Sequence, residues 1–217
     1  TDSLDFQLAK ARIQARYYGN PKNNIAYFTD KLDKKRYAYI EAAQYGLALS
    51  FMANEDYSEA NKIITDLLKQ DPENLFYLDV MTDLALAMKQ GDRAIEQLQQ
   101  HHKRMPHNQV IALNLANAHI QTENYQAAID LLKDFLLVKP DHFLALQLLS
   151  DAYGENQQML EMHQSKAEIY AAVGAYPRAI DELHSAYNFA HERKLEKQRI
   201  RARIDQFREE QNRLKNL

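Results

Sequence analysis

The chain has 217 residues, 46% apolar and 26% charged, with a formal net charge of −3 and no cysteine. That is ordinary globular composition for one large or two small domains. It excludes disulfides, thiolate metal ligands and a cysteine nucleophile, and gives no general pull towards nucleic acid or anionic lipid. No apolar run approaches the roughly 18 residues of a membrane span. The sequence opens at Thr1 with no initiator Met and no signal segment, which predicts a mature product or a piece of something longer.

Two columns of residues recur in one register. Pro72, Pro106 and Pro140 are each 34 residues apart, and Ala26, Ala60, Ala94 and Ala128 keep the same step. A small residue in mid-repeat with a proline near its end, at this period, is the mark of the tetratricopeptide repeat, a helix–turn–helix unit. The expectation is an all-α solenoid of about twelve helices, in antiparallel hairpins winding as a right-handed superhelix over 1–217. Alanine fits where paired helices cross closely, because a larger side chain would push the backbones apart. Proline fits between hairpins because it lacks an N–H and cannot extend the preceding helix.

In chain order, the first repeat, about 7–40, is degenerate: it keeps Tyr17 and Ala26, turns at Gly19-Asn20-Pro21 and lacks the terminal proline. The second, 41–74, places Tyr45, Leu47, Ala48 and Phe51 on one helix, breaks at Asn54-Glu55-Asp56, and stripes another with Tyr57, Ala60, Ile64 and Leu67. That spacing is an αα-hairpin signal. The third, 75–108, turns at Gly91-Asp92, and the fourth, 109–142, carries Leu115, Ala116, Tyr125, Ala128, Leu132 and Phe135. Asn74 and Asn108 follow prolines by two residues and suit N-caps.

Beyond 142 the register slips. The next Tyr-x-x-Ala, Tyr176 to Ala179, lies 51 residues past Ala128, one and a half periods. Helices at about 142–155, 158–173 and 176–190 follow, the middle one shared by two hairpins. A final helix, 193–215, carries Leu195, Ile200, Ile204, Phe207 and Leu214 and caps the stack. Residues 192–217 hold nine Lys/Arg against five acids. Their alternation at i, i+4 and lack of interleaved aromatics favour a solvated cap over a lipid- or nucleic-acid-binding helix.

Catalytic signatures are missing: no H-E-x-x-H, G-x-S-x-G, Gly-rich phosphate loop or EF-hand loop. His101, His102 and His107 cluster without a carboxylate at i+4 and read as surface histidines. His119 reads as a packing residue with one hydrogen bond. Neither an enzyme nor a cofactor site is expected within the 217 residues.

In this repeat architecture the first helix of each hairpin lines a groove. Mapped by register, that face holds Tyr45 and Leu49, then Phe76, Asp79 and Asp83, then Asn114 and Asn117, then Gln147 and Asp151, with Arg12 in the first repeat. Amides and acids interleaved with aromatics suit an extended peptide held by backbone hydrogen bonds and side-chain pockets. Asn114 and Asn117 stand out, since an amide both donates and accepts. A groove carrying Asp79, Asp83 and Asp151 is expected to repel a carboxylate, arguing against a clamp for acidic chain ends. Helical-repeat RNA binding would need a basic groove and is disfavoured.

Two stretches carry a more particular likeness: Ser3-Leu4-Asp5-Phe6-Gln7-Leu8-Ala9-Lys10-Ala11-Arg12-Ile13-Gln14-Ala15-Arg16-Tyr17-Tyr18, and Ala167-Glu168-Ile169-Tyr170 through Tyr176-Pro177-Arg178-Ala179-Ile180. Together they resemble the C-terminal tetratricopeptide region of the β-barrel assembly-enhancing protease family, periplasmic zinc metalloproteases of Gram-negative bacteria. The resemblance implies a zinc site of H-E-x-x-H type on a catalytic domain upstream of Thr1, so no catalytic or metal residue carries over. It also implies a periplasmic location, and recruitment of outer-membrane β-barrel precursors and their assembly machinery to a protease domain in cis. A free-standing adaptor with no attached enzyme is the alternative.

Overall fold

The computed structural model describes residues 3–215. Twelve helices and no strand occur among them: α1 Leu4–Tyr17, α2 Pro21–Asp33, α3 Ile40–Ala53, α4 Tyr57–Gln70, α5 Leu75–Ala87, α6 Gly91–Arg104, α7 Gln109–Gln121, α8 Tyr125–Val138, α9 Phe143–Glu155, α10 Met159–Ala172, α11 Tyr176–Phe189 and α12 Lys194–Lys215. The chain divides into two compact units, Thr1–Asn114 and Leu115–Leu217. In the first, α3 packs on α1, α2 and α4, and α5 on α4 and α6; in the second, α9 packs on α8 and α10, and α11 on α10 and α12.

Capping fixes where the helices start. Ser3 Oγ accepts from Phe6 N at 3.3 Å, Asn20 Oδ1 from Asn23 N at 2.8 Å, and Asn74 Oδ1 from Phe76 N at 3.1 Å. Asn108 Oδ1 takes both Val110 N and Ile111 N, at 3.0 and 3.3 Å. His142, one period further on, does the same through Nδ1 to Ala145 N at 3.3 Å. The N-cap is therefore a third column of period 34, its last member disguised as histidine.

The turns inside the hairpins form a fourth. Glu55, Lys89, Glu123 and Gln157, 34 residues apart, all have left-handed φ between 58° and 64°. Each ends its helix in a Schellman arrangement: at the first, Glu55 N donates to Met52 O at 3.0 Å and Asp56 N to Phe51 O at 2.9 Å. The same geometry recurs at Gly174, φ 72°, where Ala175 N donates to Tyr170 O at 2.9 Å. The two successive turns of this type on either side of α10 explain the half-period slip. That helix closes one hairpin and opens the next, packing on both α9 and α11.

The alanine column behaves as predicted in three places and fails in one. Ala60, Ala94 and Ala128 are wholly buried, as is Ala179 in the shifted register. Each is the fourth residue of its helix. Ala26 is exposed, because α2 begins two residues earlier in the register; its fourth residue is Asn24, 2% exposed. Asn24 Nδ2 donates to Tyr18 O at 2.7 Å and Ala15 O at 3.4 Å, and Oδ1 accepts from Gln14 Nε2 at 3.2 Å. The amide thus satisfies carbonyls at the end of α1 where other repeats need only a methyl group. Asn24→Ala should lower the unfolding free energy by about 1–3 kcal/mol, the cost of orphaning buried polar partners, read from urea denaturation at pH 7.

At the far end, Ile200, Ile204 and Phe207 of α12 are buried with Leu160, Ala167, Ala179 and Leu183. Leu195 and Leu214, predicted on the same stripe, are 59% and 54% exposed; they lie near the two ends of α12. The basic residues are partly structural. Arg203 grips Glu168 of α10 through Nε at 2.8 Å and Nη2 at 2.5 Å, and Arg193 meets Glu161 at 3.1 Å.

Candidate partner-recognition site

In the first unit, α1, α3 and α5 bring the predicted residues together around one cation. Arg12 donates to the Tyr45 hydroxyl through Nε at 2.8 Å and Nη2 at 2.6 Å. Its Nη2 also lies 2.9 Å from Asp79 Oδ2. The guanidinium sits 5.0 Å over the Phe76 ring, and Phe76 meets Tyr45 edge-on at 6.0 Å. Asn114 Nδ2 completes the network, donating to Asp79 Oδ1 and to the Val110 carbonyl, both at 3.0 Å. One turn along, Arg16 lies 3.7 Å from Asp83.

This geometry changes the roles that the register implied. Tyr45 and Leu49 are 0% and 2% exposed, so neither can touch a partner. Burial, opposed by Arg12, pushes the Tyr45 hydroxyl up to about 12; it stays a neutral phenol that accepts from Arg12. The Arg12 guanidinium itself is raised: burial works against its charge, and Tyr45 and Asp79 outweigh that. Asp79 spends both carboxylate oxygens within the scaffold, and Asn114 spends its amide N–H there. The face is not acidic either, because Arg12 and Arg16 balance Asp79 and Asp83. Contrary to the expectation from sequence, this face in the first unit carries no net charge to repel a carboxylate. Both cation–acid pairs span 67 residues, nearly two repeats, so the register held this signal unread.

Of the two acids on this face of the first unit, Asp83 is the more available. No hydrogen bond holds its carboxylate among the described residues, and its side chain is 40% exposed. Burial, then the neighbouring Asp79, holds its carboxyl above the ordinary carboxylate range, with Arg16 and Arg12 opposing. A folded value above the unfolded one means that the folded state binds the proton more tightly. The Asp83 contribution to stability is thus fully present below the ordinary carboxylate pKa and declines as pH rises through the raised value. Asp83→Asn should remove that decline and be at least as stable as the parent at pH 7. Melting temperatures of both proteins from pH 4 to 8 check this; a variant weakened at neutral pH would show that the Arg16 pair dominates.

In the second unit the other predicted residues are free of the scaffold. Asn117 of α7 is half-buried, while Gln147 and Asp151, one helical turn apart on α9, are exposed, with Leu144 on the same face 48% exposed. None of the three polar side chains has a hydrogen-bond partner among the described residues. They offer two amides and a carboxylate beside an apolar surface.

His119 is buried, but the expected hydrogen bond is missing at Nδ1, and burial lowers its pKa. Among the described residues no group of three His, Asp or Glu could hold a metal ion, and no helix is long and apolar enough to cross a membrane.

These elements define a tetratricopeptide-repeat fold. The family model for the tetratricopeptide repeat matches residues 85–144. A tetratricopeptide repeat protein from Parabacteroides merdae superposes with a TM-score of 0.57 at 14% identity, over 91% of this chain and 82% of its own. MamA superposes at 0.51 and 18% identity, over 79% and 98%. Sequence similarity is more particular. The chain is 34% identical over 213 residues to the β-barrel assembly-enhancing protease of Escherichia coli, covering 98% of this chain and 44% of that protein. The protease of the same name from Yersinia pestis is 33% identical over 206 residues, 95% of this chain and 42% of its own. The chain thus spans less than half the length of these relatives, and the part it resembles is their C-terminal tetratricopeptide region.

Proposed function

We propose that this chain is a non-catalytic recognition module that recruits protein segments for a periplasmic metalloprotease concerned with outer-membrane β-barrel assembly and quality control. One observation carries the reading: similarity to the β-barrel assembly-enhancing proteases runs along 98% of the chain while covering only 44% of the relative. In the relatives, the remaining half has room for a zinc-dependent catalytic domain. Here that domain would be joined in cis and supply the zinc site. The helical repeats would supply recognition: extended segments of β-barrel precursors or their assembly machinery would bind through exposed amides and acids beside apolar surface. Gln147, Asp151 and Asn117 are suited to backbone hydrogen bonds. Asp83 is suited to a cation or an N–H on the bound segment.

The test of the in-cis arrangement is the intact mass of the natural gene product and its coding sequence. The expected product is far heavier than 25.3 kDa, with H-E-x-x-H ahead of the helical repeats. A product close to that mass would overturn the arrangement and leave a free-standing adaptor.

A further inference from the structure

Away from the faces described above, the first unit holds a cavity of about 270 Å³ between α1, α2, the connection 34–39 and the start of α3. Its chemistry is one-sided. Lys10, Lys31 and Arg36 line it, and no Asp or Glu among the described residues does. Arg36 is committed to Asp30, which lies outside the lining and also pairs with Lys34. Lys10 and Lys31 have no carboxylate within ion-pairing distance among the described residues. Lys31 Nζ instead lies 4.9 Å over the Tyr27 ring, and Tyr27 meets Phe28 edge-on at 5.0 Å.

Two ammonium groups without counter-charges, set against aromatic walls in a concavity, suit an anion joined to a flat or apolar group. The volume falls just below the usual small-molecule range of roughly 300–1,000 Å³. It is enough for an aromatic side chain with an adjoining carboxylate. A nucleic-acid strand is a poorer match, because its further phosphates would run over Asp30, Asp33 and Glu41 on the flanking helices. We propose that this cavity binds an acidic peptide segment of a partner protein, seating an aromatic side chain against Tyr27 and Phe28 and the neighbouring carboxylate between Lys10 and Lys31. The site is separate from the groove face and stands without the proposed function.

Isothermal titration calorimetry with a short peptide containing Glu-Phe-Asp, blocked at both ends, tests it. The native chain should bind. The Lys10→Glu/Lys31→Glu variant should bind at least about tenfold more weakly, as reversed charges at a complementary contact do, and Lys103→Glu should bind as the native chain does. The Gln-Phe-Asn form of the peptide should lose a similar factor. Both lysines lie at the surface of their helices, and unchanged circular dichroism confirms folding; should the double reversal unfold, Lys10→Gln/Lys31→Gln replaces it. Failure of the native chain to bind, equal binding by the charge-reversed variant, equal binding of the amide peptide, or tighter binding of an oligothymidine would each overturn the proposal.

Discussion

Arg12→Ala should destabilise the first unit by about 2–4 kcal/mol and disorder the face that α1, α3 and α5 share. The magnitude follows from what the guanidinium leaves behind. Tyr45 is wholly buried, and its hydroxyl accepts both Arg12 hydrogen bonds. Asp79, with 26% of its side chain exposed, would keep only the Asn114 amide. Orphaned buried polar groups cost about 1–3 kcal/mol each, and a broken, largely desolvated pair more than that. The stacked Phe76 ring would also lose its cation. Two companion variants separate these effects. Tyr45→Phe removes only the hydroxyl and should cost about 1 kcal/mol. Arg12→Lys keeps the charge but cannot fork between hydroxyl and carboxylate, so it should fall between the two. Urea denaturation followed by circular dichroism ranks the three; equal midpoints for Arg12→Ala and the parent would show that the network has no structural role.

The second large effect lies at a close approach with no polar chemistry. A Cβ on Gly46 would stand 2.3 Å from two atoms of the Phe28 ring, and Phe28 is 2% exposed between α2 and α3. The ring cannot swing out without emptying its own site. Gly46→Ala should therefore cost about 3 kcal/mol, the upper range for overpacking a filled core, although alanine is the better helix former. Phe28→Leu in the same background should recover part of the loss, because the two substitutions share one volume. Additive losses in the double-mutant cycle would show that the Cβ is accommodated elsewhere. Gly46 thus lets α3 lie close on the Phe28 ring of α2.

The 34-residue period made the hairpins legible, because it reports a physical requirement at each point: small volume at a crossing, a missing N–H between hairpins. It misled where a different residue met the same requirement. Asn24 replaced the methyl group of alanine with an amide that caps carbonyls, so Ala26 kept the spacing without the role. The left-handed turn residues gave no composition signal, since Glu55, Lys89, Glu123 and Gln157 are not glycine. Their backbone is fixed by the Schellman hydrogen bonds instead. The groove was legible as a set of positions, but the division of labour within it was not. Tyr45, Asp79 and Asn114 read from the sequence as contact residues; Arg12 engages Tyr45 and Asp79, and Asp79 in turn engages Asn114. Gln147 and Asp151 lack such a counterpart within reach and stay exposed. Pairing across two repeats decides that difference, and residue type alone does not encode it.

The unpaired polar residues on the first helices of the hairpins are the surface proposed to hold an extended partner. The most direct test is the affinity of the purified chain for an outer-membrane β-barrel polypeptide kept unfolded by dilution from urea. Asn117→Ala/Gln147→Ala/Asp151→Ala should weaken binding by about tenfold or more, as loss of a contact cluster does, while helicity and melting temperature stay unchanged. Undiminished affinity in a fully folded variant would contradict it and move recognition to another surface of the repeats.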